Sequence, residues 1–172
     1  MRIAYRVRQF WLALMAAPRP EDLERARERL SPQLMALFLQ MQPGEQAHSL
    51  DVYARLLSRQ QTDTDLLTAA LLHDVGKSRY PLHVWDRAAI VLARKLFREQ
   101  AQRWGQAAPR GWRRPFVVAE QHPAWGAEMA SQAGASALTV RLIRRHQDPV
   151  MPGGGNGEEA LLYQLQCDDD AS

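Results

Sequence analysis

Residues 66–77, which read LLTAALLHDVGK, constrain the fold more than any other part of the sequence. Their apolar and small side chains predict a buried helix that ends directly on His73 and Asp74. A helix that finishes on an adjacent imidazole and carboxylate presents two kinds of metal ligand at one point. We expect Gly76 to take the left-handed backbone conformation that ends such a helix. Lys77 then places an ammonium group where it can meet an anionic substrate.

Three other predicted helices carry a histidine or an aspartate in line with aliphatic side chains. Val52 and Leu56 follow His48, Leu138 and Leu142 precede His146, and Leu161 and Leu165 precede Asp168. Residues three or four positions apart share a helix face, so these polar groups should point inward. Taken singly, each has an ordinary explanation, such as a hydrogen-bonded core histidine or, for residues 168–170, a solvated acidic end. Together they predict a shared site, because a divalent cation would compensate all of these otherwise costly buried groups.

Hydrophobic periodicity predicts an all-α bundle with almost no strand. The predicted helices span about residues 32–41, 45–59, 84–104, 123–134, 137–146 and 158–168, and the helix that carries His73 and Asp74 lies between the second and the third of these. Ser31, either Thr62 or Thr64, and Ser136 are the expected capping residues. His122 and Pro123 are expected to start a helix, since proline is favoured at the first helical position.

We expect one domain over residues 43–172, with residues 1–42 as an N-terminal helical extension packed on it. Near the start, three arginines precede the apolar run at residues 11–17. This pattern predicts an amphipathic helix that packs Val7, Trp11, Leu14 and Met15 on the core. The apolar run is short for a signal peptide, and a peripheral membrane role for the same helix is the alternative.

The overall charge and the cysteine usage exclude several classes of protein. The net charge of +3 comes from 22 basic and 19 acidic residues, which is too mild a balance to predict nucleic-acid binding. No apolar run approaches the roughly 20 residues that a membrane span needs. The single cysteine, Cys167, cannot form an internal disulfide, which is typical of a cytoplasmic protein.

The ordered set of His48, His73-Asp74 and Asp168 resembles the H…HD…D signature of the HD superfamily of metal-dependent phosphohydrolases, over roughly residues 45–170. His122 within HPAWG and His146 within RRHQ are similar to extra histidines of the two-metal branches, including HD-GYP proteins. The resemblance implies a helical bundle with about five core helices. It also implies that His48, His73, Asp74 and Asp168 hold one metal, and that Asp74 bridges to a second metal held by His122 and His146.

The chain departs from the HD-GYP branch of that superfamily. That branch carries a paired histidine followed by glutamate and then a DGxGYP loop, whereas residues 145–149 read RHQDP and residues 150–155 read VMPGGG. The departure argues against cyclic-dinucleotide hydrolysis and against a third metal. We therefore expect a general HD hydrolase.

The residue types indicate the chemistry of the site. Mixed nitrogen and oxygen ligands suit Mn, Fe, Co, Ni or Zn, and Mg stays an alternative. Two such ions about 3.5–4 Å apart lower the pKa of a water that attacks phosphorus. Asp74 and Lys77 are the predicted catalytic residues, with Lys77 and Arg145 in contact with a small phosphorylated substrate such as a nucleotide. The alternative is a regulatory module that keeps the site and binds a nucleotide-like ligand without hydrolysing it.

Overall fold

The structure, a computed structural model, describes residues 17–151, 155 and 157–171. These residues form nine α-helices, with no strand among them, as the hydrophobic pattern predicts. The helices are α1 (Pro20–Arg29), α2 (Pro32–Phe38), α3 (Pro43–Ser58), α4 (Thr64–Leu72), α5 (Val84–Leu96), α6 (Arg98–Gly105), α7 (Arg114–Gln132), α8 (Ala137–Arg145) and α9 (Glu158–Asp169). Short 3₁₀ turns occupy Val75–Arg79 and Gly111–Arg113.

The main hydrophobic core is built around α4, whose residues 66–72 are all buried. Helices α3, α7, α8 and α9 surround α4 and contribute aliphatic side chains such as Leu56, Ile143 and Leu165 to the same core. A second, smaller cluster joins α5 and α6 to the outer side of α7 through residues such as Ile90 and Phe116. The continuous apolar run of α4 is thus explained by its position at the centre of the bundle.

The described part of the N-terminal extension packs on this core. Ala26 of α1 and Leu34 and Phe38 of α2 are buried in the main cluster. The helix expected around Val7 and Trp11 lies outside the described residues, and the division of the chain at residue 42 stays a prediction. Within the described residues, no helix combines the length and the hydropathy that crossing a bilayer requires.

Two of the predicted helix caps are confirmed and one is corrected. Ser31 and Ser136 accept hydrogen bonds from the backbone N–H groups three residues later, at 3.3 and 3.0 Å. For α4 the cap is Asp63, whose carboxylate accepts from Leu66 N at 2.9 Å, and neither Thr62 nor Thr64. An aspartate serves well here because its negative charge also meets the positive end of the helix dipole.

The single helix predicted over residues 84–104 is two helices in the structure. The backbone leaves the helical region at Phe97, and α6 begins at Arg98. The apolar period that predicts α5 also lies largely in solvent, since Trp85 is 78% exposed and Leu92 and Leu96 are each 59% exposed. The period therefore identifies a helix correctly, but its apolar face does not mark the core.

The prediction that a helix starts at His122-Pro123 is wrong, because both residues lie inside α7. Proline has no backbone N–H, so Pro123 leaves the carbonyl of Ala119 without its helical donor. In the structure a guanidinium N–H of Arg94 donates to that carbonyl at 3.0 Å. This side-chain bond from α5 allows α7 to continue through the proline.

Gly76 does not adopt the left-handed conformation that its position after the His-Asp pair predicts. It lies in the 3₁₀ turn that follows α4 and packs directly against α7. A Cβ atom at this position would lie 2.0 Å from the carbonyl oxygen of His122 and 2.7 Å from the backbone nitrogen of Gly126. Glycine is required here because two backbones approach each other closely, and this approach holds the end of α4 beside His122.

Candidate metal centre

Five helices bring histidine and aspartate side chains to one region of the bundle. His48 comes from α3, His73 and Asp74 from the end of α4, His122 from the middle of α7, His146 from the end of α8 and Asp169 from the end of α9. All of these are buried except His48 and Asp169, which are partly exposed. They form two groups, each with ligand atoms close enough to hold one ion: His48, His73 and Asp169, and Asp74, His122 and His146.

The first group is centred on the carboxylate of Asp169. Its Oδ1 atom lies 2.8 Å from Nε2 of His48 and 3.5 Å from Nε2 of His73. The imidazole rings of His48 and His73 meet edge to face, with their centres 5.3 Å apart. This group therefore offers two nitrogen atoms and one carboxylate, the mixed set that borderline divalent metals prefer.

The second group is centred on the carboxylate of Asp74. Its Oδ1 atom lies 3.2 Å from Nε2 of His122 and 3.9 Å from Nε2 of His146. The other oxygen, Oδ2, lies 3.7 Å from Nε2 of His73, which belongs to the first group. Asp74 is thus placed between the groups with one oxygen towards each.

Backbone carbonyls fix the orientation of the three buried imidazoles. Nδ1 of His73, His122 and His146 lies 2.8–2.9 Å from a carbonyl oxygen in the preceding helical turn, that of Ala70, Val118 and Ile143 respectively. A carbonyl oxygen can only accept, so each Nδ1 carries the hydrogen. In the neutral ring Nε2 is then left with a lone pair, which is the arrangement that metal-binding histidines use.

These Nε2 atoms fit a cation better than they fit each other. Nε2 of His122 and Nε2 of His146 lie 3.3 Å apart, so two lone pairs face each other when both rings are neutral. Nε2 of His73 is buried and makes no hydrogen bond within the described residues. Buried polar atoms in this condition are costly, and one divalent cation in each group would satisfy all three of these nitrogen atoms.

The pKa values of the second group favour metal binding. Burial, together with the neighbouring imidazoles of His122 and His73, lowers the pKa of His146 to about 3. Burial likewise lowers the pKa of His122. Burial alone would raise the pKa of Asp74, but Lys77 and His73 outweigh it and hold that pKa well below the usual range. At neutral pH this group therefore presents two neutral imidazoles and one carboxylate.

His73 differs from the other two buried histidines because it lies between two carboxylates. Burial lowers its pKa, but Asp74 and Asp169 more than offset this and raise the pKa to about 9. A metal that binds His73 must replace the proton.

A family model described as HD domain matches residues 46–169 of the chain. The matched region contains all six residues of the two groups. The chain belongs to the HD domain family. The HD domain defines the same superfamily of metal-dependent phosphohydrolases that the motifs around His73 and Asp74 resemble. No curated protein and no solved structure gives a significant match to the chain.

The structure corrects the predicted ligand set of this HD domain at one position. Asp169, and not Asp168, lies with His48 and His73. Asp168 is fully buried, and its Oδ1 atom lies 3.1 Å from a guanidinium nitrogen of Arg59.

The correction has a simple geometric reason in α9. The prediction follows the aliphatic line through Leu161, but the fully buried leucines of α9 are Leu162 and Leu165. From these two, Asp169 follows at positions seven and four further along, which is the same helix face. The sequence alone does not show that Leu162, and not Leu161, is the buried leucine.

Lys77 contacts the HD pair directly. Its Nζ atom lies 2.5 Å from Oδ2 of Asp74, and its side chain is 21% exposed. The contact neutralises a buried carboxylate, while the lysine side chain stays partly exposed.

Arg145, the other residue predicted to bind substrate, is occupied by carboxylates. Its guanidinium nitrogens lie 2.9 Å from Glu158, 2.6 Å from Glu159 and 3.5 Å from Asp148. Its role in substrate binding stays a prediction, and these three ion pairs argue for a structural role between α8 and α9.

A cavity of about 780 Å³ opens beside the two groups. Helices α5 to α9 line it, and its wall includes His146 from one group and Asp169 from the other. A cavity of this volume is in the range that binds small molecules. The sequence gives no sign of it, because its lining residues are scattered over five helices.

Proposed function

We propose that this HD protein is a divalent-metal-dependent phosphohydrolase that acts on a phosphate ester of a nucleotide or a related small molecule. His48, His73 and Asp169 hold one ion, and Asp74, His122 and His146 hold the second. The observation that carries the proposal is the pair of adjoining groups, each with two imidazole Nε2 atoms and one carboxylate turned towards the same point. A structural core has no need for six such groups in contact.

The donor set indicates what would bind. Four imidazoles and two carboxylates suit Mn, Fe, Co, Ni or Zn better than Ca, which prefers oxygen atoms alone. When bound, two such ions polarise a phosphoryl oxygen and lower the pKa of the water that attacks phosphorus.

The protein's own residues position and balance this site. Asp74 turns one oxygen towards each group, so it is the residue placed to serve both ions. Lys77 holds the second of these oxygens and keeps the carboxylate ionised. The ammonium group of this partly exposed side chain is also suited to neutralise negative charge on the phosphoryl group.

The test is metal analysis of the purified protein, followed by phosphate release from a panel of monoesters, diesters, nucleoside diphosphates and nucleoside triphosphates with added Mn, Co or Ni. We expect bound metal and hydrolysis of at least one substrate class. The variant that tests the role of the site is Asp74→Asn, which keeps the shape of the side chain but removes its negative charge. It should lose metal and turnover while its circular dichroism stays helical.

Two outcomes would contradict the proposal. Full activity in Asp74→Asn would show that hydrolysis does not require the carboxylate of Asp74. A wild-type protein that binds metal and nucleotide but hydrolyses nothing in the panel would instead support the regulatory module.

A further inference from the structure

The cavity beside the metal centre carries arginines from three different helices. Arg94 on α5, Arg98 on α6 and Arg144 on α8 all line it, together with His146 and Asp169. One wall of the cavity is therefore formed by metal-ligand candidates, and other parts of the lining present guanidinium groups.

Two of these arginines have no partner within the described residues. The side chains of Arg98 and Arg144 make no hydrogen bond or ion pair there. Several other arginines of the bundle pair with carboxylates, among them Arg87 with Glu45, Arg114 with Asp86, and Arg141 with Glu158. Guanidinium groups left without a carboxylate on a shared cavity are suited to bind an anionic ligand.

Arg94 is held in place by the helix it packs against. Its bond to the carbonyl of Ala119 uses one guanidinium nitrogen. A guanidinium group has five N–H donors in a rigid fork, so the other donors stay free for a ligand. This fixed position reduces the entropy that Arg94 would lose on binding.

Two of the acidic residues that line the cavity have partners of their own. Four carboxylates line it. Asp148 lies 3.5 Å from Arg145, and Asp169 belongs to the first metal-binding group. Glu120 and Asp170 are the other two, against three arginines. Bound divalent ions would make the region more positive.

We propose that Arg94, Arg98 and Arg144 form a subsite for a second phosphoryl group, so that the substrate carries at least two phosphoryl groups. One is placed at the metal centre and another at the arginines, as in a nucleoside diphosphate or triphosphate or an inorganic polyphosphate. This inference rests on the proposed function for the first phosphoryl group. It also assigns Arg144, in place of its neighbour Arg145, to the ligand.

Equilibrium binding to the metal-free protein tests the subsite separately from catalysis. The full chain is kept in excess chelator, and inorganic phosphate, pyrophosphate and tripolyphosphate are titrated by calorimetry. We expect pyrophosphate and tripolyphosphate to bind more tightly than phosphate. Arg98→Gln and Arg144→Gln should each weaken pyrophosphate binding by about tenfold, since each removes charge-assisted hydrogen bonds.

Arg103→Gln is the matched control. Arg103 is exposed on the same helix as Arg98 but does not line the cavity. It should leave pyrophosphate binding unchanged. Unchanged binding in Arg98→Gln and Arg144→Gln, or an equal loss in Arg103→Gln, would overturn the subsite.

Steady-state kinetics with metal-loaded protein then identifies the source of the phosphoryl groups. Arg98→Gln and Arg144→Gln should raise KM for nucleoside diphosphates and triphosphates, or for tripolyphosphate, more than for nucleoside monophosphates. Arginine-dependent pyrophosphate binding without any hydrolysis would keep the subsite and reject the enzyme. Hydrolysis that both variants leave unchanged for every substrate would keep the enzyme and reject the subsite.

Discussion

Oδ1 of Asp169 lies 2.8 Å from Nε2 of His48, although the two residues are 121 positions apart in the sequence. The contact joins the last turn of α9 to α3 and completes the first candidate metal-binding group. The neighbouring residue, Asp168, turns to Arg59 instead. Two adjacent aspartates of one helix therefore have different partners, and this difference can be tested directly.

Asp169→Asn should lower the metal content, because it removes the only carboxylate of the first group. Asp168→Asn should leave the metal content unchanged and reduce the free energy of unfolding by about 1 kcal/mol, since it weakens one buried polar contact. Metal analysis and denaturant unfolding of both variants make the comparison. Loss of metal in Asp168→Asn with full occupancy in Asp169→Asn would restore the ligand set that the sequence predicts.

The sequence is sufficient to predict the all-helical fold, and it names five of the six residues that the structure brings together in the two groups. His73 and Asp74 follow an unbroken apolar run. His48 extends the buried line of Val52 and Leu56, and His146 follows the buried Leu142, so a period of 3.6 locates both histidines. The helical period does not separate Asp168 from Asp169. Adjacent positions differ by only about 100° around a helix, so both aspartates border the apolar face of α9.

Other features depend on contacts between distant segments. Gly76 precedes a turn in the sequence, but its role is to admit the backbone of α7. Pro123 reads as a helix start because nothing local indicates that Arg94, 29 positions earlier, satisfies the orphaned carbonyl. The apolar period of α5 is a property of its own sequence, whereas the burial of its side chains depends on which other elements pack against the helix.

Removing bound metal should destabilise the protein measurably. Ions held by these groups would bind the folded state alone, so at 100 times the dissociation constant one ion would add about 2.7 kcal/mol to the free energy of unfolding. For a chain of this size we expect the melting temperature to fall by about 5–10 °C when chelator removes the metal, and to recover on adding Mn or Co. Differential scanning calorimetry measures the shift, with Asp74→Asn as control. An equal response of wild type and Asp74→Asn would show that the effect arises elsewhere.

Gly76→Ala should destabilise the bundle and weaken metal binding together. The added Cβ would meet backbone atoms of His122 and Gly126, which cannot move aside as a flexible side chain can. We expect a loss of about 1–3 kcal/mol in the free energy of unfolding. Because α7 must shift, His122 moves relative to Asp74 and metal affinity should fall as well.

Gly126→Ala is the comparison for this effect. A Cβ at residue 126 faces the same contact from the other side, but its nearest atom, the backbone nitrogen of Gly76, is 3.1 Å away. It should cost less than Gly76→Ala in both stability and metal affinity. Equal losses in the two variants would mean that the close approach at Gly76 is not the determining contact.

A double-mutant cycle tests whether Arg94 stabilises α7 by replacing the bond that Pro123 removes. Arg94→Ala leaves the carbonyl of Ala119 without a donor, so we expect it to cost about 1 kcal/mol in the wild-type background. In Pro123→Ala the backbone N–H of residue 123 can donate to the same carbonyl, and the cost of Arg94→Ala should then be smaller. Urea unfolding of the four proteins gives the coupling energy. Equal costs in the two backgrounds would mean that the bond does not support the helix, and Arg94 would then be free to serve the cavity alone.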